Sequence, residues 1–196
     1  MQYVTISMPG FSQDSYDKRH GFKFVVIKEN IIKIVKNFRE SGFEGQFLIA
    51  YHIYQFNMDE IPEAMKFATE NGINILPSFA FINDFERFKK YLKSELSNLE
   101  LKKAGEQLFL YYYNDKLKSI IFDYICSQYD ALSIDENCNA ITCCADSTSL
   151  GKNFNLKPEQ VNPIRMESDI CNECNKIGLS YLLNNAAIPK HIVLLK

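Results

Sequence analysis

Cys126, Cys138, Cys143, Cys144, Cys171 and Cys174 are the residues of this chain best able to do chemistry, and all six cysteines fall in its second half. The last two form Cys-Asn-Glu-Cys. A Cys-x-x-Cys on a tight turn brings two thiolates to one metal ion or one cluster. Cys126 and Cys143 stand on the flanks of what reads as a β-hairpin, and with Cys171 and Cys174 they would close a four-thiolate site. Four soft sulfur ligands suit zinc or an iron–sulfur cluster, not magnesium or calcium. Other chemistry-bearing residues are sparse. His20, His52 and His191 have no spacing that suggests a metal site or a catalytic dyad. His52 reads as a strand residue satisfied by a neighbour, and Tyr111-Tyr112-Tyr113 as one helix packing different faces.

The scaffold that must position these cysteines is ordinary in composition. The chain has 196 residues, 46% hydrophobic and 23% charged, with a net charge of −2. That length buries about 70% of the surface the unfolded chain exposes. The charge balance makes no case for nucleic acid or an acidic membrane as partner. No apolar run approaches the length of a membrane helix. Met1-Gln2-Tyr3-Val4-Thr5-Ile6-Ser7 lacks a basic start and a sustained apolar stretch, so a cytoplasmic, reducing location is expected. There, reduced or metal-bound cysteines are expected instead of a disulfide framework.

The first hundred residues alternate strand and helix signals. Tyr3–Ser7 is a short strand ended by Met8-Pro9-Gly10, and a polar loop is expected through His20 and Gly21. Ile27, Ile31, Ile34, Val35 and Phe38 recur at helical spacing before Ser41-Gly42. Phe47–Tyr54 is apolar on nearly every residue, as in a strand covered on both faces. Asn57-Met58-Asp59-Glu60 reads as a capping box, with Pro62 in the first turn of the helix it opens. Ile73–Leu76 is a third strand, broken by Pro77. Asn83-Asp84-Phe85-Glu86 offers a second capping box, and Phe85, Phe88, Leu92, Leu96 and Leu99 mark one helical face. The β-α-β-α-β-α order predicts a parallel sheet with right-handed crossovers. Such a sheet puts its helices on one face and leaves the other face and both edges bare.

Gly105 is the expected boundary between residues 1–105 and 106–196. Beyond it Leu110, Tyr113, Leu117, Ile121 and Tyr124 predict a helix leading to Cys126. Ala131–Ile134 and Ala140–Cys144 read as the arms of a hairpin. Residues 145–162 read as a polar loop, and His191–Leu195 as a short terminal strand.

Cys126 is followed by eleven residues, then Cys138, then four residues to Cys143, with Cys171-x-x-Cys174 downstream. This spacing resembles the auxiliary-cluster region of radical S-adenosylmethionine (SAM) enzymes, the SPASM/twitch extension, in its shorter one-cluster twitch form. The family has Gly where this chain has Cys138. Cys at a positive φ costs roughly 1–2 kcal/mol, so Asn137 or Asn139 could take the left-handed position instead. The first half resembles the latter part of the family's partial (β/α) barrel. Val4-Thr5-Ile6-Ser7 looks like its fourth strand, Tyr54-Gln55-Phe56-Asn57-Met58-Asp59-Glu60 like the end of its fifth, and Ile73-Asn74-Ile75-Leu76-Pro77 like its sixth.

The resemblance implies an α/β fold: a partial barrel of about three parallel strands (1–105), then a small cysteine-rich hairpin and helix module (106–196). It implies a [4Fe–4S] cluster on Cys126, Cys143, Cys171 and Cys174, within a radical SAM oxidoreductase assembly. The alternative is a zinc-stabilised interaction module with the same ligands and no redox role. Cys138 and Cys144 read as a turn residue and a packed side chain. By the same resemblance Ser7 and Asn57 would touch S-adenosylmethionine, whereas Asn57 read by itself caps its helix. The family's Cys-x3-Cys-x2-Cys triplet, which holds the SAM-cleaving cluster, is absent from this sequence. The chain therefore looks like the C-terminal half of such an enzyme, whether a fragment, a remnant or half of a split protein. S-adenosylmethionine would bind only when an N-terminal half completes the site. The expected partners are that half or a second copy at the open sheet edge, and the chain alone is expected to be inactive.

Overall fold

The structure is a computed structural model that describes residues 3–82, 84–118, 126–135, 139–143, 146–151 and 156–185. It divides into two compact units. One holds the residues up to Ala80 together with Glu106–Phe109, and the other holds Phe81–Gly105 and Leu110–Asn185. Among the described residues no helix is long and apolar enough to cross a membrane.

The first unit is a three-stranded parallel sheet with helices. Strands β1 (Tyr3–Met8), β2 (Gln46–Ile53) and β3 (Asn74–Phe79) lie in the order β1-β2-β3. Helices α1 (Gln13–Arg19) and α2 (Phe24–Glu40) connect the first pair, and α3 (Ile61–Glu70), preceded by a 3₁₀ turn at Met58–Glu60, connects the second. Register places Ile6, Ile49 and Ile75 at one level, and Met8, Tyr51 and Pro77 at another. Side chains alternate along a strand, so these residues share a face. That face carries the core: Met8, Phe47, Ile49, Tyr51 and Ile53 are buried with Tyr16 of α1, Ile31 of α2, and Ala64, Phe67 and Ala68 of α3. The opposite face carries Tyr3, Thr5 and Ser7 of β1, Leu48, Ala50 and His52 of β2, and Leu76 of β3. Tyr3 and Leu76 are 58% and 45% exposed there. On this face the β2 residues Leu48, Ala50 and His52 are half-buried, whereas Phe47, Ile49, Tyr51 and Ile53 on the other are buried.

Two local expectations are corrected. The polar stretch before His20 forms α1, because Ser12 caps it by accepting the Ser15 N–H. The loop ahead of it is drawn in so tightly that a Cβ on Gly10 would lie 2.3 Å from that of Ser15. Strand β3 runs through Pro77 instead of stopping there. It is an edge strand, where proline's missing N–H is tolerated.

In the second unit α4 (Phe85–Leu92) is capped by Asp84, which accepts the Arg87 N–H at 2.7 Å, one residue later than expected. The predicted face Phe85-Phe88-Leu92-Leu96-Leu99 is not one helix. Lys93 caps α4, Ser94 takes φ 59°, and α5 (Asn98–Gln107) begins anew with Leu99 62% exposed. α5 runs through Gly105, so that glycine does not end an element. The second unit takes in Phe81–Gly105, and α4 packs with the cysteine half. Its Lys89 Nζ lies 2.9 Å from Glu173 Oε2. Helix α6 (Leu110–Lys118) buries Tyr113 and exposes Tyr111, as one helix packing different faces should.

Strands β4 (Ser133–Ile134) and β5 (Ala140–Cys143) form the expected hairpin, and β6 (Asp146–Ser149) adds a third antiparallel strand. The stretch expected as a polar loop thus holds β6 and the start of α7 (Pro158–Glu167). α8 (Asp169–Lys176) and α9 (Leu179–Asn185) follow, separated by Gly178 at φ 81°. The readings made for Asn83, Ile121, Tyr124, Cys138, Cys144 and the 191–195 strand lie outside the described residues.

Candidate metal centre

Four cysteines from three places in the second unit line one cavity: Cys126, Cys143, Cys171 and Cys174. Each of the three places has a different local structure. Cys126 is the extended residue before a 3₁₀ turn, Ser127–Asp130, whose Tyr129 N–H returns to the Cys126 carbonyl. Cys143 ends β5, where the ladder to β6 becomes irregular. Cys171 and Cys174 lie on α8 and not on a tight turn. Their i, i+3 spacing sets both thiols on one helical face. Ser168 caps α8 by accepting the Cys171 N–H, so Cys171 sits in the first turn of the helix.

All four are half-buried, and none is joined in a disulfide. The cavity holds about 400 Å³ of space free of atoms, part of it open to solvent. Phe85 of α4, Ile170 of α8 and Tyr129 contribute to its wall. Burial, reinforced by the charges of Cys143 and Cys126, pushes the Cys174 thiol up to about 12. Burial also raises the Cys126 thiol, partly offset by a backbone N–H at Gln128 and by the Arg165 guanidinium. At neutral pH these groups are thiols, and a metal has to displace protons to bind them. Among the described residues no group of three His, Cys, Asp or Glu side chains is arranged to hold a single metal ion.

Arg165 of α7, which sequence reasoning missed, lines the same cavity and is only 1% exposed. Its Nε donates to the Thr142 carbonyl at 2.9 Å, and its Nη1 donates to the Gln128 carbonyl and to Asn162 Oδ1. It thereby ties α7 to the chain beside Cys143 and beside Cys126. Its Nη2 is buried with no hydrogen-bond partner among the described residues. The available signal was periodicity: Arg165 stands four residues after Val161, which is wholly buried, so helical spacing turns both inward.

The two residues expected near S-adenosylmethionine lie in the first unit and differ in kind. Ser7, near the C-terminal end of β1 on the open face, has its Oγ 2.9 Å from His52 Nε2. His52 is thus satisfied by a neighbour, and burial together with the Arg19 charge lowers its pKa. Asn57 is fully buried, and its amide is used internally. Its Oδ1 accepts the Tyr54 N–H at 2.8 Å, while its Nδ2 donates to the Pro9 and His52 carbonyls. Nor does it cap a helix through its side chain. It joins the chain after β1 to the end of β2. Glu60, read as the far end of a capping box, instead accepts from the Phe11 N–H and from the hydroxyls of Ser12, Ser15 and Tyr51. Burial and that carboxylate together raise the Tyr51 phenol well above its usual range.

Comparison with protein-family models, curated proteins and solved structures gives no match for this chain.

Proposed function

We propose that the chain binds one [4Fe–4S] cluster through Cys126, Cys143, Cys171 and Cys174, as the auxiliary-cluster part of a radical SAM/twitch oxidoreductase. The observation that carries this reading is the gathering of these four cysteines around one cavity. The donor set fits the group: four cysteine sulfurs, aromatic and aliphatic wall residues, and a buried cation beside them. Such a cluster is a larger body than one ion, so its ligands surround a space, whereas zinc draws four sulfurs to about 2.3 Å of one point. When bound, the cluster would supply one-electron transfer or a substrate-binding iron. In this reading the parallel sheet of the first unit belongs to a partial barrel whose inner side is the open face bearing Ser7, and other chain completes it.

The test is anaerobic reconstitution. We expect about four irons and four sulfides per chain, with the brown colour of a cubane cluster. Alanine at Cys126, Cys143, Cys171 or Cys174 should abolish or destabilise it, and alanine at Cys138 or Cys144 should not. Iron kept by Cys126→Ala but lost from Cys144→Ala would overturn the ligand set. A colourless protein holding one zinc would replace the cluster with a structural ion.

A further inference from the structure

We propose that Arg165 is the resident counter-cation of the four-cysteine site and that its Nη2 donates a hydrogen bond to a sulfur of the group held there. This rests on the cluster reading above, and its own ground is different. A guanidinium carries five N–H donors in a rigid fork. Here Nε and Nη1 are engaged with the Thr142 and Gln128 carbonyls and Asn162 Oδ1, which holds the plane of the group in place. Nη2 has no partner among the described residues, although the side chain is 1% exposed. Leaving a charged donor buried and unpaired is costly. The cavity that Arg165 lines is also lined by the four cysteines. Arg165 is the single arginine in the chain after Arg87, so no other guanidinium stands near it in sequence.

The charges agree with the geometry. Four thiolates around a cubane in its oxidised state leave a net double negative charge, and reduction adds one more. A buried cation offsets part of this and favours the reduced state more than the oxidised one. Hydrogen bonds to the sulfurs act in the same direction. Arg165 therefore raises the reduction potential of the site. It also holds the backbone beside two of the ligands, one residue before Cys143 and two after Cys126.

The experiment uses the full chain, labelled with ¹⁵N-arginine, reconstituted with iron and sulfide and reduced with dithionite. Pulsed EPR of the reduced cluster should show a ¹⁵N hyperfine coupling that disappears in Arg165→Lys. The midpoint potential should fall in the order wild type, Arg165→Lys, Arg165→Gln, since lysine keeps the charge and glutamine does not. A reduced cluster without ¹⁵N coupling overturns the proposal, as do unchanged midpoints in both variants. Should glutamine prevent folding, the coupling in the wild-type protein still decides. Iron analysis separates the two readings. A chain that takes up no iron removes the cluster and this inference together, while a loaded cluster with no nitrogen coupling removes the inference alone.

Discussion

At the scale of single residues, Asn57 and Arg165 teach the same thing. Each is polar and buried, and each serves backbone groups brought together from distant parts of the chain. Asn57 meets one N–H and two carbonyls, from Tyr54, Pro9 and His52. Replacing it with alanine leaves all three groups without this partner. The cost of such buried, unmade bonds is about 2–4 kcal/mol in unfolding free energy. Urea denaturation of Asn57→Ala should show that loss, and a change within about 0.5 kcal/mol, the size of an ordinary surface substitution, would mean that the amide is not a clamp. Asparagine type and position suggested a helix cap, because capping is a local habit of this residue. The clamp was not legible, since Pro9 is brought to Asn57 only by the pairing of β1 with β2.

Helices and strands were legible where their signal was periodic, as in α2 and in the β4–β5 hairpin. They were misread where a breaker residue or a polar stretch hid the pattern. Pro77 lies within β3, and Pro158 and Pro163 both lie within α7. The break between α4 and α5 is the reverse case. Leu92, Leu96 and Leu99 keep helical spacing across it, and the chain nevertheless turns at Ser94. Ser94 is the one non-glycine residue among the described residues with positive φ, at 59°. Serine in that region is strained by roughly 1–2 kcal/mol, and glycine recovers this less the entropy it adds to the unfolded chain. Ser94→Gly should therefore raise stability by about 0.5–1 kcal/mol. A lower thermal midpoint for that variant would show that the Ser94 side chain supports the turn in another way.

At the scale of the whole molecule, the proposed function limits what this chain can do by itself. Cleavage of S-adenosylmethionine requires an iron with an open coordination position. Three cysteines leave one iron of a cubane free, and the site proposed here uses four. We expect no 5′-deoxyadenosine from the reconstituted, reduced chain, as checked by chromatography of the reaction mixture. Catalytic formation of that product would force a new assignment of all six cysteines. The sheet adds a physical reason: Tyr3 and Leu76 stand exposed on a face that carries Ser7 and no covering helix among the described residues.

The sequence by itself determined the α/β alternation, the parallel order of three strands and the thiol chemistry of the second half. Those properties live in residue type and in periods of two and 3.6, which are local. Only the tertiary structure decided that Cys126 and Cys143 line one cavity with Cys171 and Cys174, and that α4 packs with the cysteine half. It alone turned Glu60 back onto the loop after β1. It also placed a buried arginine among four thiols. Each of these joins residues far apart in the chain, and no local preference encodes such a pairing until the backbone between them has folded.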